Sequence, residues 1–137
     1  MNPLLLDTNA AIRIAEDSDL SESAVRVLDQ AADEGTPILV SPITAWEVGL
    51  LVVRGRIALP LSPLIWFERL IGAPNVGLAE MTPAVLIASS FLPNASFRDP
   101  ADRILAATAR EYELTLVTRD RELLGYAEAG YMKAIAC

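Results

Sequence analysis

The 137-residue chain is 53% hydrophobic and has a formal charge of −7, from 11 basic and 18 acidic residues. Such a chain can bury a core without disulfides or a structural metal, and we expect one domain over residues 1–137. The charge argues against nucleic-acid binding through a large basic surface, because that mode needs many neutralised phosphates. A small basic rim remains possible, since all but one of the basic residues are arginine.

The chain has no histidine, which excludes Ser-His-Asp and Cys-His triads and His-based zinc or iron sites. The single cysteine, Cys137, allows neither an intrachain disulfide nor a cysteine-held metal, and it fits a reducing, cytoplasmic setting. Enzyme chemistry in this chain would therefore rest on carboxylates. Carboxylates gathered in one place suit hard cations such as Mg²⁺ or Mn²⁺.

Neither a secretory signal nor a membrane span is predicted. The apolar run 3–6 is cut by Asp7 and lacks the basic region and cleavage site of a signal peptide. No stretch reaches the roughly 18 uninterrupted apolar residues of a span. We expect a soluble, cytoplasmic protein without membrane contact.

Hydrophobic periodicity and capping residues predict alternating strands and helices along the chain. The predicted strands are 3–6, 38–41, 76–81, 115–118 and an edge strand near 132–136, and the predicted helices are 20–35, 43–53, 64–71, a short one from 82–83 onward, 99–113 and a short one after 123. Residues 92–98 read as a loop. This alternation predicts a three-layer α/β sandwich, with a central parallel sheet flanked by helices on both faces.

Two aspartates follow predicted strands. Asp7 and Asp120 each come just after a carboxyl end, where parallel sheets bind ligands. Either aspartate could instead be an ordinary turn or capping residue, the commonest role of aspartate after a strand. Thr8 and Thr118 stand beside them and could orient carboxylates or water, or simply make local hydrogen bonds.

Two further acids lie on predicted helices. Glu47 shares an apolar stripe with Ile43, Leu50 and Leu51, so it needs a cation, a hydrogen bond or an opening to solvent. Asp102 lies at helical spacing from the apolar residues that follow it. Asp102 and Asp99 could also be helix-start signals, with Asp99 as the N-cap before Pro100. Four acids gathered together would repel each other, and a divalent cation relieves that repulsion.

Other residues near the acids invite a simpler interpretation. Four bulky residues occur at helical spacing and are predicted to be core or dimer-interface residues rather than base-stacking platforms: Trp46, Trp66, Phe67 and Leu70. Three arginines beside the acids could contact phosphate through their planar guanidinium groups, or could pair with neighbouring acids: Arg98, Arg103 and Arg119.

Four segments together resemble PIN-domain proteins of the VapC toxin type. They are Leu-Leu-Leu-Asp-Thr-Asn-Ala at 4–10, Ser-Pro-Ile-Thr-Ala-Trp-Glu at 41–47, Arg-Asp-Pro-Ala-Asp-Arg-Ile-Leu-Ala-Ala-Thr-Ala at 98–109 and Leu-Val-Thr-Arg-Asp at 116–120. Each segment alone is only weakly specific for this family, whereas four such segments in the right order are quite specific for it. Where many relatives carry histidine before the Arg-Asp-Pro segment, this chain has Phe97, which leaves any substrate contact of that histidine in doubt.

The resemblance implies a cytoplasmic endoribonuclease that needs Mg²⁺ or Mn²⁺ and acts as the toxin of a toxin–antitoxin pair. It implies an RNA substrate, a homodimer and a VapB-like antitoxin. The family's acidic positions correspond to Asp7, Glu47, Asp102 and Asp120, with Asp99 as a subgroup feature. In this scheme Asp7, Asp102 and Asp120 hold the metal, and Glu47 binds it or orients the attacking water.

Two other functions remain open at this stage. A Mg²⁺-dependent phosphatase or phosphoacceptor domain would also use a strand-end aspartate. The phosphatase pattern, however, needs a second aspartate at position 9, where the chain has Asn9, and a receiver domain needs paired N-terminal acids and a late lysine. A non-catalytic dimeric binding module with the same fold is the other alternative, and the presence of all four acids disfavours it.

Overall fold

A computed structural model describes residues 1–137 as a parallel sheet enclosed by helices. The elements in chain order are β1 (Leu4–Leu6), α1 (Thr8–Ala15), α2 (Glu22–Glu34), β2 (Ile38–Val40), α3 (Pro42–Val53), α4 (Pro63–Ile71), β3 (Val76–Leu78), α5 (Pro83–Ser90), α6 (Pro100–Glu111), β4 (Thr115–Thr118), α7 (Arg121–Glu128) and β5 (Lys133–Ala136). None of these helices is both long and apolar enough to cross a membrane.

The five strands are all parallel and lie in the order β3-β2-β1-β4-β5. The first strand is therefore central, with β2 on one side and β4 on the other. Leu6 pairs with Val40 and with Val117, so these strands end at the same level. This register brings the residues after β1 and β4 to one edge of the sheet.

Helices cover both faces of the sheet, because alternate residues of β1 face opposite sides. Leu4 and Leu6 join a core with α1, α2 and α4 on one face, whereas Leu5 joins a core with α5, α6 and α7 on the other. All three leucines are at most 1% exposed. A continuous apolar strand is typical of a sheet buried on both faces, and the predicted three-layer sandwich is confirmed.

Four helices begin with a Ser, Thr or Asp cap followed by proline, three of them as the sequence predicts. The predicted caps are Ser62, Thr82 and Asp99, and the fourth is Ser41; each side chain accepts a hydrogen bond from a backbone N–H two or three positions into its helix. Proline suits the first helical position because its missing N–H would have no partner there. The Asp99 cap fixes where α6 begins, and so fixes the position of Asp102.

The structure adds one helix to the predicted elements and shortens the predicted strand 76–81 to Val76–Leu78. Helix α1 was not predicted, because Asp7-Thr8-Asn9 resembles a turn; Asp7 instead caps a short helix that buries Ala10 and Ala11. Trp46 is 54% exposed and so does not lie in the core of the chain, which leaves the dimer interface as its predicted place. The other three bulky residues are buried as predicted: Trp66, Phe67 and Leu70.

Candidate metal centre

The four predicted acids line one cleft at the carboxyl edge of the sheet. The cleft has a volume of about 500 Å³ and is lined by Asp7, Glu47, Asp102 and Asp120 among others. Asp7 follows β1, Asp120 follows β4 after one intervening residue, Glu47 comes from α3 and Asp102 from the first turn of α6. Four segments that are distant in sequence therefore each supply one carboxylate.

Asp7 is the most buried of these acids, at 6% exposure. Its Oδ1 accepts a 2.7 Å hydrogen bond from the Ala10 N–H and so caps α1, and its Oδ2 accepts one of 2.5 Å from the Thr118 hydroxyl. Burial raises the pKa of Asp7, the bonds from Thr118 and Ala10 lower it in part, and the charge of Asp120 raises it. The hydrogen bonds fix the carboxylate without neutralising it.

Asp120 is both a helix cap and part of the cleft. Its Oδ1 accepts hydrogen bonds from the N–H groups of Glu122 and Leu123, at 2.9 and 3.1 Å, which begins α7. The Asp120 N–H donates a 3.0 Å bond to the Thr118 hydroxyl oxygen. The capping interpretation and the cleft position are thus compatible, because capping uses one carboxylate oxygen and leaves the other.

Glu47 is half-buried and has a hydroxyl partner. The Thr8 hydroxyl donates to Glu47 Oε1 and lies 3.0 Å from the hydroxyl of buried Thr44. Burial raises the pKa of Glu47, the Thr8 bond lowers it, and the charges of Asp99 and Asp7 raise it. Glu47, the carboxylate on the apolar stripe of α3, therefore has a hydrogen-bond partner in Thr8 and access to the open cleft.

Asp102 has the largest shift among the acids. Burial, followed by the charges of Asp99, Asp120, Glu47 and Asp7, raises its pKa to about 7. No hydrogen bond to the carboxylate offsets these effects. Its backbone N–H donates a 2.9 Å bond to Asp99 Oδ1, which confirms Asp99 as the cap of α6.

The chemistry of these donors fits a hard divalent cation. Every titratable donor in the cleft is a carboxylate, and Mg²⁺ and Mn²⁺ prefer oxygen ligands. Neighbouring negative charges raise the pKa values of Asp7, Glu47 and Asp102, and a bound cation would oppose this repulsion. The side chains do not already stand as a compact group of three metal ligands. Binding would therefore require carboxylates to move toward the ion.

The predicted phosphate-contacting arginines have different positions. Arg119 lines the cleft, and its guanidinium donates a 2.9 Å bond to the Cys137 carbonyl. Arg98 is exposed but does not line the cleft. Arg103 does not line the cleft, and its guanidinium donates 2.8 Å bonds to the carbonyls of Ser89 and Phe97; its phosphate contact stays a prediction.

Other residues of the cleft were not singled out from the sequence. Asn9 and Arg56 provide polar and basic groups, and three apolar residues complete the walls: Ile12, Leu51 and Ile57. Asn9 could have been noticed from its place two residues after Asp7. Arg56 lies beyond the end of α3, and no spacing rule connects it to the acids. Asp99, a secondary candidate, lines a neighbouring groove instead of the cleft.

The fold and the cleft define a class: α/β proteins in which a parallel sheet gathers carboxylates at its carboxyl edge. A family model for the PIN domain matches residues 4–129. The chain is also 36% identical over 124 residues to Ribonuclease VapC22 of Mycobacterium tuberculosis, covering 90% of this chain and 91% of that one. The chain belongs to the PIN domain family, as its sequence motifs indicate.

Solved structures support the same fold. The chain superposes on VapBC2 from Rickettsia felis, determined with a promoter DNA fragment, with a TM-score of 0.68 at 14% identity and 97% coverage of both chains. PAE2754 from Pyrobaculum aerophilum gives a TM-score of 0.64 at 20% identity, covering 98% of this chain and 89% of that one. DNA-bound VapBC from Salmonella typhimurium gives 0.63 at 20% identity, with 99% and 98% covered.

Proposed function

We propose that this protein is a metal-dependent endoribonuclease that hydrolyses RNA phosphodiester bonds with a carboxylate-held Mg²⁺ or Mn²⁺. The observation that carries the proposal is the meeting of Asp7, Glu47, Asp102 and Asp120 in one cleft of a PIN domain. The relative from M. tuberculosis is named as a ribonuclease, which supports RNA as the substrate.

In this proposal Asp7, Asp102 and Asp120 hold the cation. Thr118 supports two of them, since its hydroxyl donates to Asp7 and accepts from the Asp120 N–H. Once bound, the cation supplies Lewis acidity for hydrolysis and offsets negative charge on the phosphate. Asp102, whose pKa is raised to about 7, would then ionise at neutral pH, because a cation held beside it would lower this pKa.

Glu47 binds the metal or orients the attacking water. The Thr8 hydroxyl holds one of its oxygens and leaves the other available. A raised pKa makes Glu47 a better proton acceptor than an ordinary carboxylate, which suits a group that positions and deprotonates water. Arg56 and Arg119 provide positive charge at the walls of the cleft, where a phosphate of the substrate would lie.

Membership in the PIN domain family supports a proposal about the partners. We expect a toxin controlled by a VapB-like antitoxin, in keeping with fold neighbours that were solved as VapBC complexes. Helix α5 and its C-terminal cap leave three apolar residues exposed, namely Leu86 at 40%, Ile87 at 63% and Phe91 at 79%. A homodimer would cover this apolar surface. Sedimentation of the purified chain would test the dimer. A short reading frame directly upstream would support the antitoxin.

Cleavage of RNA by the purified protein tests the central claim. We expect Mg²⁺- or Mn²⁺-dependent cleavage that a chelator abolishes, and a loss of at least about 100-fold in Asp7→Asn and Asp102→Asn. Asp33→Asn is the matched control, because Asp33 is an exposed acid on α2, away from the cleft. Unchanged cleavage in both cleft variants would refute the site. An absence of metal binding by calorimetry would favour a non-catalytic binding module.

A further inference from the structure

A smaller groove lies beside the cleft, between α3 and the start of α6. It has a volume of about 260 Å³, and Trp46, Leu50 and Arg54 line its α3 side, whereas Asp99 and Pro100 line the other. Trp46, Leu50 and Arg54, the C-cap of α3, are spaced four apart, which places them on one face of the helix. Of the residues given a catalytic role above, only Glu47 also lines this groove.

Trp46 is the dominant side chain of the groove. It is 54% exposed, whereas the only other tryptophan, Trp66, is 5% exposed. A large aromatic ring gains more from burial than almost any other side chain, and it offers a flat face to a planar ligand. The exposed ring at this position is available to such a ligand.

The groove is continuous with the cleft, because Glu47 and Leu51 line both. A ligand whose phosphate lies among the cleft acids can therefore extend along α3 into the groove. The next chemical group of an RNA chain beside a phosphate is a ribose with its base. The groove thus lies where a nucleotide adjoining the cleaved bond would be.

Positive charge follows the same path. Arg119 and Arg56 line the cleft and Arg54 lines the groove, in a chain whose formal charge is −7. The side chains of Arg54 and Arg56 take part in none of the hydrogen bonds within the chain, and Arg56 is exposed at the end of α3. Guanidinium groups that are free of internal partners are well suited to successive phosphates.

A second copy of the chain is a poorer occupant of the groove. Three charged residues contribute to its walls, namely Glu47, Arg54 and Asp99, and the centres of protein interfaces are depleted in charged residues. The exposed residues of α5 form a more apolar face for such contact.

We infer that the groove is a nucleobase subsite, in which an unpaired base next to the cleaved phosphate stacks on Trp46 while Arg54 contacts the backbone. The inference rests on the proposed ribonuclease function and extends it to the substrate class. Stacking needs a base that is not held in a duplex, so the expected substrates are single-stranded segments or loops. Trp46 is thereby a residue that determines specificity.

Fluorescence tests the stacking directly. In a Trp66→Phe variant Trp46 is the only tryptophan, and rapid mixing with a short single-stranded RNA in Mg²⁺ records binding before cleavage. We expect quenching by RNA that carries bases and much weaker quenching by an abasic strand of the same length. Equal quenching by both strands, or none, would overturn the inference. A signal that depends on protein concentration without RNA would assign the face to a second copy instead.

Cleavage kinetics provide a second readout. Trp46→Ala is expected to raise KM about tenfold with a smaller effect on kcat, and Trp46→Phe to retain most of the affinity, because stacking requires a ring. Leu64→Ala is the matched control, since Leu64 is 68% exposed and lies outside both the cleft and the groove. Wild-type kinetics in Trp46→Ala would overturn the subsite alone. Failure of the wild-type protein to cleave any RNA would instead refute the proposed function.

Discussion

The Thr118 hydroxyl donates a 2.5 Å hydrogen bond to Asp7 Oδ2 between residues that are 111 positions apart in the chain. The strands that precede them are paired in register, with Leu6 beside Val117. The same hydroxyl accepts the N–H of Asp120 at 3.0 Å. One buried threonine therefore connects the two strand-end acids of the cleft.

Thr118→Val tests this connection. Valine keeps the shape of the side chain but removes both hydrogen bonds, so we expect the free energy of unfolding to fall by about 1–3 kcal/mol. The pKa of Asp7 should rise further, because the Thr118 bond lowers it. We expect kcat/KM for RNA to fall about tenfold. Thr115→Val on the same strand is the control, and an equal effect of both variants would argue against a specific role.

The raised pKa of Asp102 predicts that the metal-free protein loses stability as the pH rises. Its pKa is about 7 in the folded chain against 3.8 for an ordinary aspartate, so the folded state binds more protons between these values. The contribution of Asp102 to the free energy of unfolding is therefore fully present below about pH 4, and it is lost as the pH rises through about 7. Asp102→Asn should therefore be more stable than the wild type above pH 7, by about 1–2 kcal/mol after allowance for partial exposure.

Urea unfolding with chelator, from pH 4 to 8, measures this effect. Asp33→Asn should follow the wild-type profile, because Asp33 is exposed. Added Mn²⁺ should raise the melting temperature of the wild type and have much less effect on Asp102→Asn, since a ligand stabilises the state that binds it. Parallel pH profiles of wild type and Asp102→Asn would contradict the assigned shift.

Arg103 is expected to matter for stability and not for catalysis. Its guanidinium donates hydrogen bonds to the carbonyls of Ser89 and Phe97 and lies 5.8 Å from the centre of the Phe97 ring. Arg103→Met keeps much of the apolar stem but loses these bonds, and should lower the free energy of unfolding by about 1–3 kcal/mol. We expect kcat/KM to stay within about twofold. Arg26→Met, on an exposed face of α2, is the control; a large loss of kcat/KM in Arg103→Met alone would support the predicted phosphate contact.

The residues that could be predicted from the sequence share a physical feature. Strand β1 was recognisable because a strand buried on both faces must be continuously apolar. Asp7 and Asp120 were recognisable because the topology of a parallel sheet fixes where its strand ends lie. The position of Asp102 in its helix was equally consistent with a capping role. In the structure its backbone N–H is capped by Asp99, and its side chain lines the cleft.

The features that were missed depend on packing between distant segments. Helix α1 forms because Asp7 caps it and because Ala10 and Ala11 fit against the sheet, and neither effect gives a strong local pattern. The direction of the Arg103 side chain depends on two carbonyls, one of them 14 residues away. The exposure of Trp46 likewise could not be read from periodicity, because Trp46 and the buried Trp66 both occur at helical spacing among apolar residues.

The central position of β1 has a consequence for synthesis. Its neighbour β4 follows nine other elements in the chain, so the cleft receives its fourth carboxylate only after Asp120 has been added. Contacts this far apart in sequence also form slowly during folding. We therefore expect a chain that stops before residue 120 to lack one carboxylate of the proposed site and to cleave no RNA.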